Sequence, residues 1–149
     1  MIVLLGLALT YGAVLLHYEG LRAVWAILRS LHSRPRRKLL IVICGVLSVH
    51  WLEIGLFSVG YWLGDRILHL GVFDGASGDP HAMTRADYIA FSAETYTSLG
   101  LGDIRPVGVL RLLAGTETLT GLILIAWSAS FTYLAMSRFW RAGNGNGAG

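Results

Sequence analysis

The residues that could do chemistry lie in one short stretch, Thr97-Ser98-Leu99-Gly100-Leu101-Gly102-Asp103. Two glycines one residue apart let the backbone adopt conformations that other residues avoid, so that successive carbonyl oxygens can point the same way. A hydroxyl from Thr97 or Ser98 can add a further oxygen. None of these oxygens carries a full charge, which suits a weakly hydrated monovalent cation that must also leave. One such strand cannot surround an ion, and we expect several copies of the chain to do so.

A short helix is predicted to position this stretch. Thr84 followed by Asp87 is typical of a capping box, which opens a helix over residues 84–97. That helix is too short to cross a bilayer, and a loop at membrane depth is permitted only where protein or a water-filled pore lines it. The carboxyl end of the helix would direct negative partial charge toward a bound cation. The pattern therefore predicts a re-entrant helix followed by an ion-binding loop over residues 98–103.

The segment from Tyr88 to Pro106 resembles the pore helix and selectivity filter of potassium channels, whose filter reads Thr-Val-Gly-Tyr-Gly-Asp. Position by position, the resemblance places the filter at Ser98, Leu99, Gly100, Leu101, Gly102 and Asp103. It implies ion binding by oxygens of residues 97–102, with K⁺ at Ser98, Leu99, Gly100 and Leu101, and no other cofactor. It also implies four identical chains around one pore, because this chain contains a single pore loop.

The resemblance extends to residues around the filter. Glu94 matches a glutamate that some bacterial members place behind the filter to hydrogen-bond the aspartate, here Asp103. Gly121 lies where such channels often have a hinge glycine in the inner helix, and Glu117 precedes it by one turn. Glu94 and Asp103 are therefore predicted to support the filter, and Gly121 with Glu117 to take part in gating.

Two positions depart from the potassium-channel pattern. Leu101 replaces an aromatic residue whose ring packs against the pore helix, although a Gly-Leu-Gly filter is similar to the second pore of some tandem-pore channels. Ser98 keeps the hydroxyl of threonine but lacks its methyl group. A weakly selective monovalent cation channel is therefore an alternative to a potassium-selective one.

The composition of the 149 residues is that of a membrane protein, with 54% hydrophobic and 14% charged residues. The predicted class is an all-α membrane protein with a potassium-channel-like pore domain over residues 39–141. Its predicted parts are an outer helix at 39–64, an extracellular loop at 65–83, the pore helix and filter, and an inner helix at 107–138. Residues 142–149 are predicted to form a disordered tail.

The N-terminal region, residues 1–38, lies outside the resemblance. Residues 1–16 are apolar but barely long enough to cross a bilayer, which needs about 20 residues. A helix that continues through His17 and Glu19 solves the length problem. Beyond Gly20, apolar residues recur at helical spacing with arginines off that stripe, so this part could instead lie along the membrane surface. The region is predicted to be a transmembrane or interfacial helix that ends in a basic turn.

Charges predict the orientation and the partners. Most cations lie between the first two predicted spans or after the last one, and the positive-inside rule places the basic turn and the C-terminus in the cytoplasm. The expected location is the cell (inner) membrane, with several spans and an extracellular pore loop. Anionic lipid headgroups, rather than nucleic acid, are the expected partners of Arg34, Arg36, Arg37 and Lys38. Five aspartates would either concentrate cations at the pore mouth or only solubilise the loop: Asp65, Asp74, Asp79, Asp87 and Asp103.

Ionisable residues inside predicted spans are costly and need a reason. Four of them form a predicted intramembrane polar cluster, namely His17, Glu19, His50 and Glu53. One interpretation is a metal or proton site, and the other is a set of hydrogen bonds that orient the spans. A non-conducting membrane sensor or accessory subunit built on these residues is a further alternative. No nucleophile with a neighbouring base is evident, so an enzyme is not expected.

Overall fold

The computed structural model describes residues 1–31, 35–75 and 83–144. Within these ranges the chain is mainly helical, with α1 at Ile2–Ser30, α2 at Pro35–Trp62, α3 at Arg85–Tyr96 and α4 at Leu110–Asn144. Three stretches of the described residues are long and apolar enough to cross a membrane: Ile2–Ser30, Arg36–Ile67 and Leu110–Arg138. The prediction of an all-α membrane protein is confirmed.

Helix α1 is unbroken through Gly20 and has 29 residues, or about 44 Å at 1.5 Å per residue, which exceeds the roughly 30 Å of a bilayer core. Its buried residues recur at helical spacing along the whole length. One end packs in an apolar core with Phe57 and Tyr61 of α2, and the other packs with Val42 and Val46. This packing favours a spanning helix over one that lies on the membrane surface.

Helices α1 and α2 run antiparallel and approach closely at glycines. Gly45 faces Val24, and Gly20 faces Val49, so that a Cβ atom at either glycine would collide with the valine. Small residues let helices in membranes come close enough for van der Waals packing along their backbones. Helix α1 is therefore held firmly against the outer helix of the predicted pore domain.

A two-stranded antiparallel sheet was not expected from the sequence. Strand β1, Gly71–Asp74, pairs with strand β2, Arg105–Gly108. The sheet replaces part of the predicted loop at 65–83 and the first residues of the inner helix predicted at 107–138. It is stabilised by the burial of Phe73 and by an ion pair between Asp74 and Arg105. Four-residue strands carry too little alternation to be distinguished from loop by pattern.

An aromatic core fixes α3 against α2. The rings of Tyr61, Phe73, Tyr88 and Phe91 meet edge to face, with centroids 5.0 to 5.8 Å apart. Such edge-to-face pairs are favoured by the ring quadrupoles and add to the burial of apolar area. The residues come from α2, β1 and α3, so the sheet and the short helix are packed as one unit.

The helix bounds differ slightly from the predicted ones. Helix α2 ends at Trp62 and continues as a π-helical turn, Leu63–Ile67, and α4 begins at Leu110 because the preceding residues form β2. Helix α4 extends to Asn144, past the predicted start of the tail at 142. The rest of that predicted tail, residues 145–149, lies outside the described residues, as do Arg34 and Asp79.

Candidate functional site

Helix α3 begins at the predicted capping box. The Thr84 side chain accepts a hydrogen bond from the backbone N–H of Asp87 at 3.3 Å, and the Asp87 carboxylate accepts one from the backbone N–H of Thr84 at 2.7 Å. The latter hydrogen bond lowers the pKa of Asp87, with the Thr84 side chain adding to the effect. The box satisfies N–H groups that a helix start leaves without a partner. The prediction of this helix start is confirmed.

The segment that follows α3 is tied to the end of the helix by backbone hydrogen bonds. The N–H of Ser98 donates to the carbonyl of Thr95 at 3.1 Å, and that of Leu99 donates to the carbonyl of Glu94 at 2.8 Å. The Thr97 hydroxyl donates to the carbonyl of Ala93 at 2.7 Å. This hydrogen bond fixes the Thr97 side chain against the helix, while the oxygen keeps lone pairs that can still accept a contact.

The backbone of the predicted filter alternates in handedness. Ser98, Gly100 and Gly102 have φ angles of 60°, 58° and 85°. The two leucines between them are not among the residues with positive φ. Alternation of this kind turns successive carbonyl groups toward one side of the strand, whereas a regular strand points them to opposite sides. Ser98 adopts this conformation at a cost of about 1–3 kcal/mol, because its side chain disfavours it.

The filter side chains are uncovered in the single chain. Leu99 and Leu101 are 64% and 63% exposed, and residues 97–103 are all classed as exposed. Leu101 does not pack against α3 as the aromatic residue of the potassium-channel pattern would. Apolar side chains exposed to this extent are typical of a surface that contacts lipid or another chain.

Glu94 has a different partner from the one predicted. Its carboxylate accepts a hydrogen bond from the backbone N–H of Leu101 at 3.3 Å. Among the described residues, no hydrogen bond joins Glu94 to Asp103, which lies exposed beyond the filter. When the filter carbonyls turn to one side of the strand, the backbone N–H groups point to the other side, toward α3. A carboxylate on the last turn of α3 can reach them there. Glu94 therefore contacts the filter backbone directly rather than through Asp103.

Tyr96, the last residue of α3, is held from two sides. Its hydroxyl donates to the Glu53 carboxylate of α2 at 2.5 Å. Its backbone carbonyl lies so close to Gly121 of α4 that a Cβ atom there would collide with it. Next to it, the Thr118 hydroxyl of α4 donates to the carbonyl of Thr95 at 3.1 Å. The residue that precedes the filter is thus fixed between α2 and α4, and Gly121 serves close packing.

The structure brings together three residues of the predicted intramembrane cluster. Nδ1 of His17 lies 2.7 Å from one carboxylate oxygen of Glu53, and Nδ1 of His50 lies 2.9 Å from the other. Tyr96 joins them, with its hydroxyl 2.8 Å from Nδ1 of His50. We call these four residues the His–Glu cluster. Glu19 is not part of it, because it forms an exposed ion pair with Arg22 on its own helix.

Sequence reasoning missed Tyr96 as a member of this cluster. It also missed Ser128 of α4, whose hydroxyl lies 3.5 Å from Nε2 of His17. The signal available was that a membrane-embedded carboxylate needs several donors. Hydroxyl-bearing residues are too common in the sequence for that signal to select these two.

A second buried carboxyl group contacts α3 one helical turn before Tyr96, at Ser92. Glu117 of α4 accepts hydrogen bonds from the hydroxyls of Tyr61 and Ser92, each at 2.5 Å. Ser92 also contacts the backbone carbonyl of Ile54 at 2.9 Å. The Glu117 side chain is fully buried, so it links α4 to α2 and α3 within one chain.

Most described outer aspartates have structural partners. Asp65 accepts a hydrogen bond from the hydroxyl of Tyr88, Asp74 pairs with Arg105 at 2.6 Å, and Asp87 caps α3. Burial raises the pKa of Tyr88 to about 12, and the hydrogen bond to Asp65 contributes to the rise. Of the four described aspartates, only Asp103 is exposed without such a role. The other three favour neither the concentration of cations at the pore mouth nor simple solubilisation of the loop.

The described part of the basic turn faces outward. Arg36 and Arg37 are exposed at the start of α2, and Lys38 is partly exposed. All three lie within the first turn of a spanning helix, where long cationic side chains reach the headgroup region.

Comparison with known proteins gives one match. The family model described as "Ion channel" matches residues 39–138, which contain α3, the filter segment and most of α2 and α4. No curated protein and no solved structure matches the chain. Helix α1 and its residue His17 lie outside the matched region.

Proposed function

The chain belongs to the ion-channel family whose model covers residues 39–138, and we propose that it is a potassium-selective channel formed by four copies. Membership of this family points to ion transport rather than catalysis. The observation that carries the proposal is the alternating backbone of Ser98, Leu99, Gly100, Leu101 and Gly102 at the end of α3. That backbone suits a row of carbonyl oxygens able to replace the hydration shell of an ion.

In this proposal the carbonyls of residues 97–101 and the Ser98 hydroxyl line the ion path. The path is completed by the same segment of three further copies, since one strand supplies only one side of each ion site. The exposed Leu99 and Leu101 support this assembly, because neighbouring copies would cover them. A native mass or cross-linking measurement on the purified protein should give four chains.

The proposed gates are the filter and the inner helix. At the filter, the hydrogen bond from Leu101 to Glu94 restrains the backbone. In the inner helix, bending near Gly121 would move α4, with Glu117 one turn away. Both remain predictions from the sequence, now with a defined contact at each position.

The proposed orientation places the filter outside and the C-terminus in the cytoplasm, where Arg34, Arg36, Arg37 and Lys38 would meet anionic headgroups. The chain has a single cysteine, Cys44, so a Cys44→Ser background permits single-site labelling. In intact cells, an impermeant thiol reagent should label Ala76→Cys and not Ala148→Cys. The opposite pattern would reverse the orientation.

A second candidate is a channel that passes potassium and sodium with little preference. The observation that favours it is the exposed Leu101, which does not brace the filter against α3 as an aromatic residue would. A less braced filter would adapt its oxygens to either ion.

Flux into liposomes tests both candidates. We expect the liposomes to take up potassium and not sodium. Potassium uptake should be lost in Gly100→Ala, because a side chain at a φ of 58° strains the filter backbone. Gly55→Ala is the matched control, since Gly55 lies in α2 with open space around its Cβ position. Equal sodium flux would favour the second candidate. Flux that is unchanged in Gly100→Ala would contradict the assignment of the filter.

A further inference from the structure

The His–Glu cluster contains an imbalance of charge. The Glu53 carboxylate is fully buried and faces His17, His50 and Tyr96. If each imidazole is neutral, each can donate one proton to the carboxylate, and the group carries one net negative charge. A buried charge among membrane-spanning helices is costly unless a cation compensates it. Either a bound metal cation or a proton on one imidazole can compensate this charge.

The donor set matches the one that zinc prefers. Two imidazoles and one carboxylate are the protein ligands of a common class of zinc site, with a fourth donor completing the tetrahedron. Here the fourth donor is the hydroxyl of Tyr96, 2.8 Å from Nδ1 of His50 and 2.5 Å from the Glu53 carboxylate. One ligand atom from each of His17, His50 and Glu53 lies within 4.8 Å of the others.

The geometry of the rings also fits. With Zn–N bonds of about 2.05 Å and a tetrahedral angle, two imidazoles on one ion have ring centroids roughly 5.2 Å apart. The rings of His17 and His50 have centroids 5.4 Å apart. Both present Nδ1 to the same carboxylate, at 2.7 and 2.9 Å. Tetrahedral ligands lie about 3.3 Å apart, so the two histidine–Glu53 contacts must open by about half an ångström, and the Tyr96–Glu53 contact by about 0.8 Å, to admit the ion.

We propose that His17, His50 and Glu53, with Tyr96, bind a transition-metal ion of the zinc type between α1, α2 and α3. The ion bridges a helix outside the matched family region to the residue that precedes the filter. It gives α1 a defined task, which is to supply one ligand and to hold the end of the pore helix in place. This site is separate from the proposed potassium path.

The test is metal content, measured without reference to ion flux. The protein carries a tag other than polyhistidine, is produced in zinc-supplemented medium and is purified in detergent without chelator. We expect about one zinc per chain. The variants His17→Gln and Glu53→Gln remove a ligand while they keep a hydrogen-bonding side chain of similar length. Their affinity for zinc should fall by more than the roughly 10- to 100-fold that follows from disturbing an outer-shell partner, so that they lose the zinc that wild type keeps through purification.

His69→Asn is the matched control, because His69 lies outside the cluster and has a φ of 48°, which asparagine tolerates. It should keep the metal. A second measurement does not depend on variants: Co²⁺ added to zinc-depleted wild-type protein should give the visible absorption of a tetrahedral site, which Zn²⁺ abolishes. Folded wild-type protein without zinc and without this absorption would overturn the proposal, and a proton would then be the compensating cation. Zinc that is kept in His17→Gln and Glu53→Gln would also overturn it.

Discussion

Gly121 is the position where the structure makes the sharpest quantitative prediction. A Cβ atom at this residue would collide with the backbone carbonyl of Tyr96 and would lie 3.1 Å from the Tyr96 ring. A side chain could rotate away, but a carbonyl at the end of α3 cannot move without moving the filter that follows it. The substitution Gly121→Ala should therefore separate α4 from α3.

The expected change in unfolding free energy for Gly121→Ala is the difference between two opposed effects. Overpacking in a well-packed core costs typically 1–3 kcal/mol, and a rigid backbone neighbour places this site near the upper value. Replacement of glycine by alanine inside a helix recovers about 1 kcal/mol. The net loss of unfolding free energy should be about 2 kcal/mol. Gly115→Ala is the matched control, because Gly115 lies in the same helix with open space at its Cβ position, and it should be stabilising by up to about 1 kcal/mol.

The assay is unfolding of the purified protein in mixed micelles by increasing denaturing detergent, with potassium flux measured in parallel. The two alanine variants should differ by about 3 kcal/mol, the sum of the effects above. Gly121→Ala should also change flux, because Tyr96 precedes the filter. If Gly121→Ala is as stable as Gly115→Ala within about 0.5 kcal/mol, the packing argument is refuted. A changed flux at unchanged stability would then support a hinge.

Two further predictions concern buried and exposed polar groups. Tyr61→Phe removes the donor to the Glu117 carboxyl and should cost about 1–3 kcal/mol of unfolding free energy, whereas Tyr133→Phe, on the exposed face of α4, should stay within about 0.5 kcal/mol of wild type. The pKa of Asp87 is lowered in the folded chain, so its stabilising effect is present above its ordinary value of 3.8 and is lost as the pH falls through the lowered pKa. Wild type should therefore exceed Asp87→Asn in stability at neutral pH, by less than about 1 kcal/mol because the group is exposed, and the difference should vanish in acid. A difference that persists in acid would contradict this origin.

Local patterns in the sequence predicted the features that depend on neighbouring residues. The capping box of Thr84 and Asp87 marked the start of α3 because its hydrogen bonds join residues three apart. The glycines at 100 and 102 indicated positive φ because only glycine adopts it freely. Ser98 adopts it as well, which its residue type did not indicate.

Contacts between distant elements could not be predicted in this way. The hydrogen bond between Tyr96 and Glu53 joins residues 43 positions apart, and it depends on how α3 is packed against α2. The contact between Glu94 and the N–H of Leu101 was not predicted, because the resemblance supplied the residue types and not the position of Leu101. The small sheet was missed because its stability comes from the burial of Phe73 rather than from strand length.

The two proposed gates are not independent in this structure. Bending of α4 at Gly121 changes the close contact between this glycine and the Tyr96 carbonyl. The hydroxyl at the other end of Tyr96 is hydrogen-bonded to Glu53 of α2. Movement of α4 toward Tyr96 would therefore strain that hydrogen bond or shift the end of α3, to which the N–H groups of Ser98 and Leu99 bind the start of the filter. Packed cores respond to such displacement by switching between discrete arrangements rather than by deforming smoothly. Inner-helix bending and a change at the filter should then occur as one event.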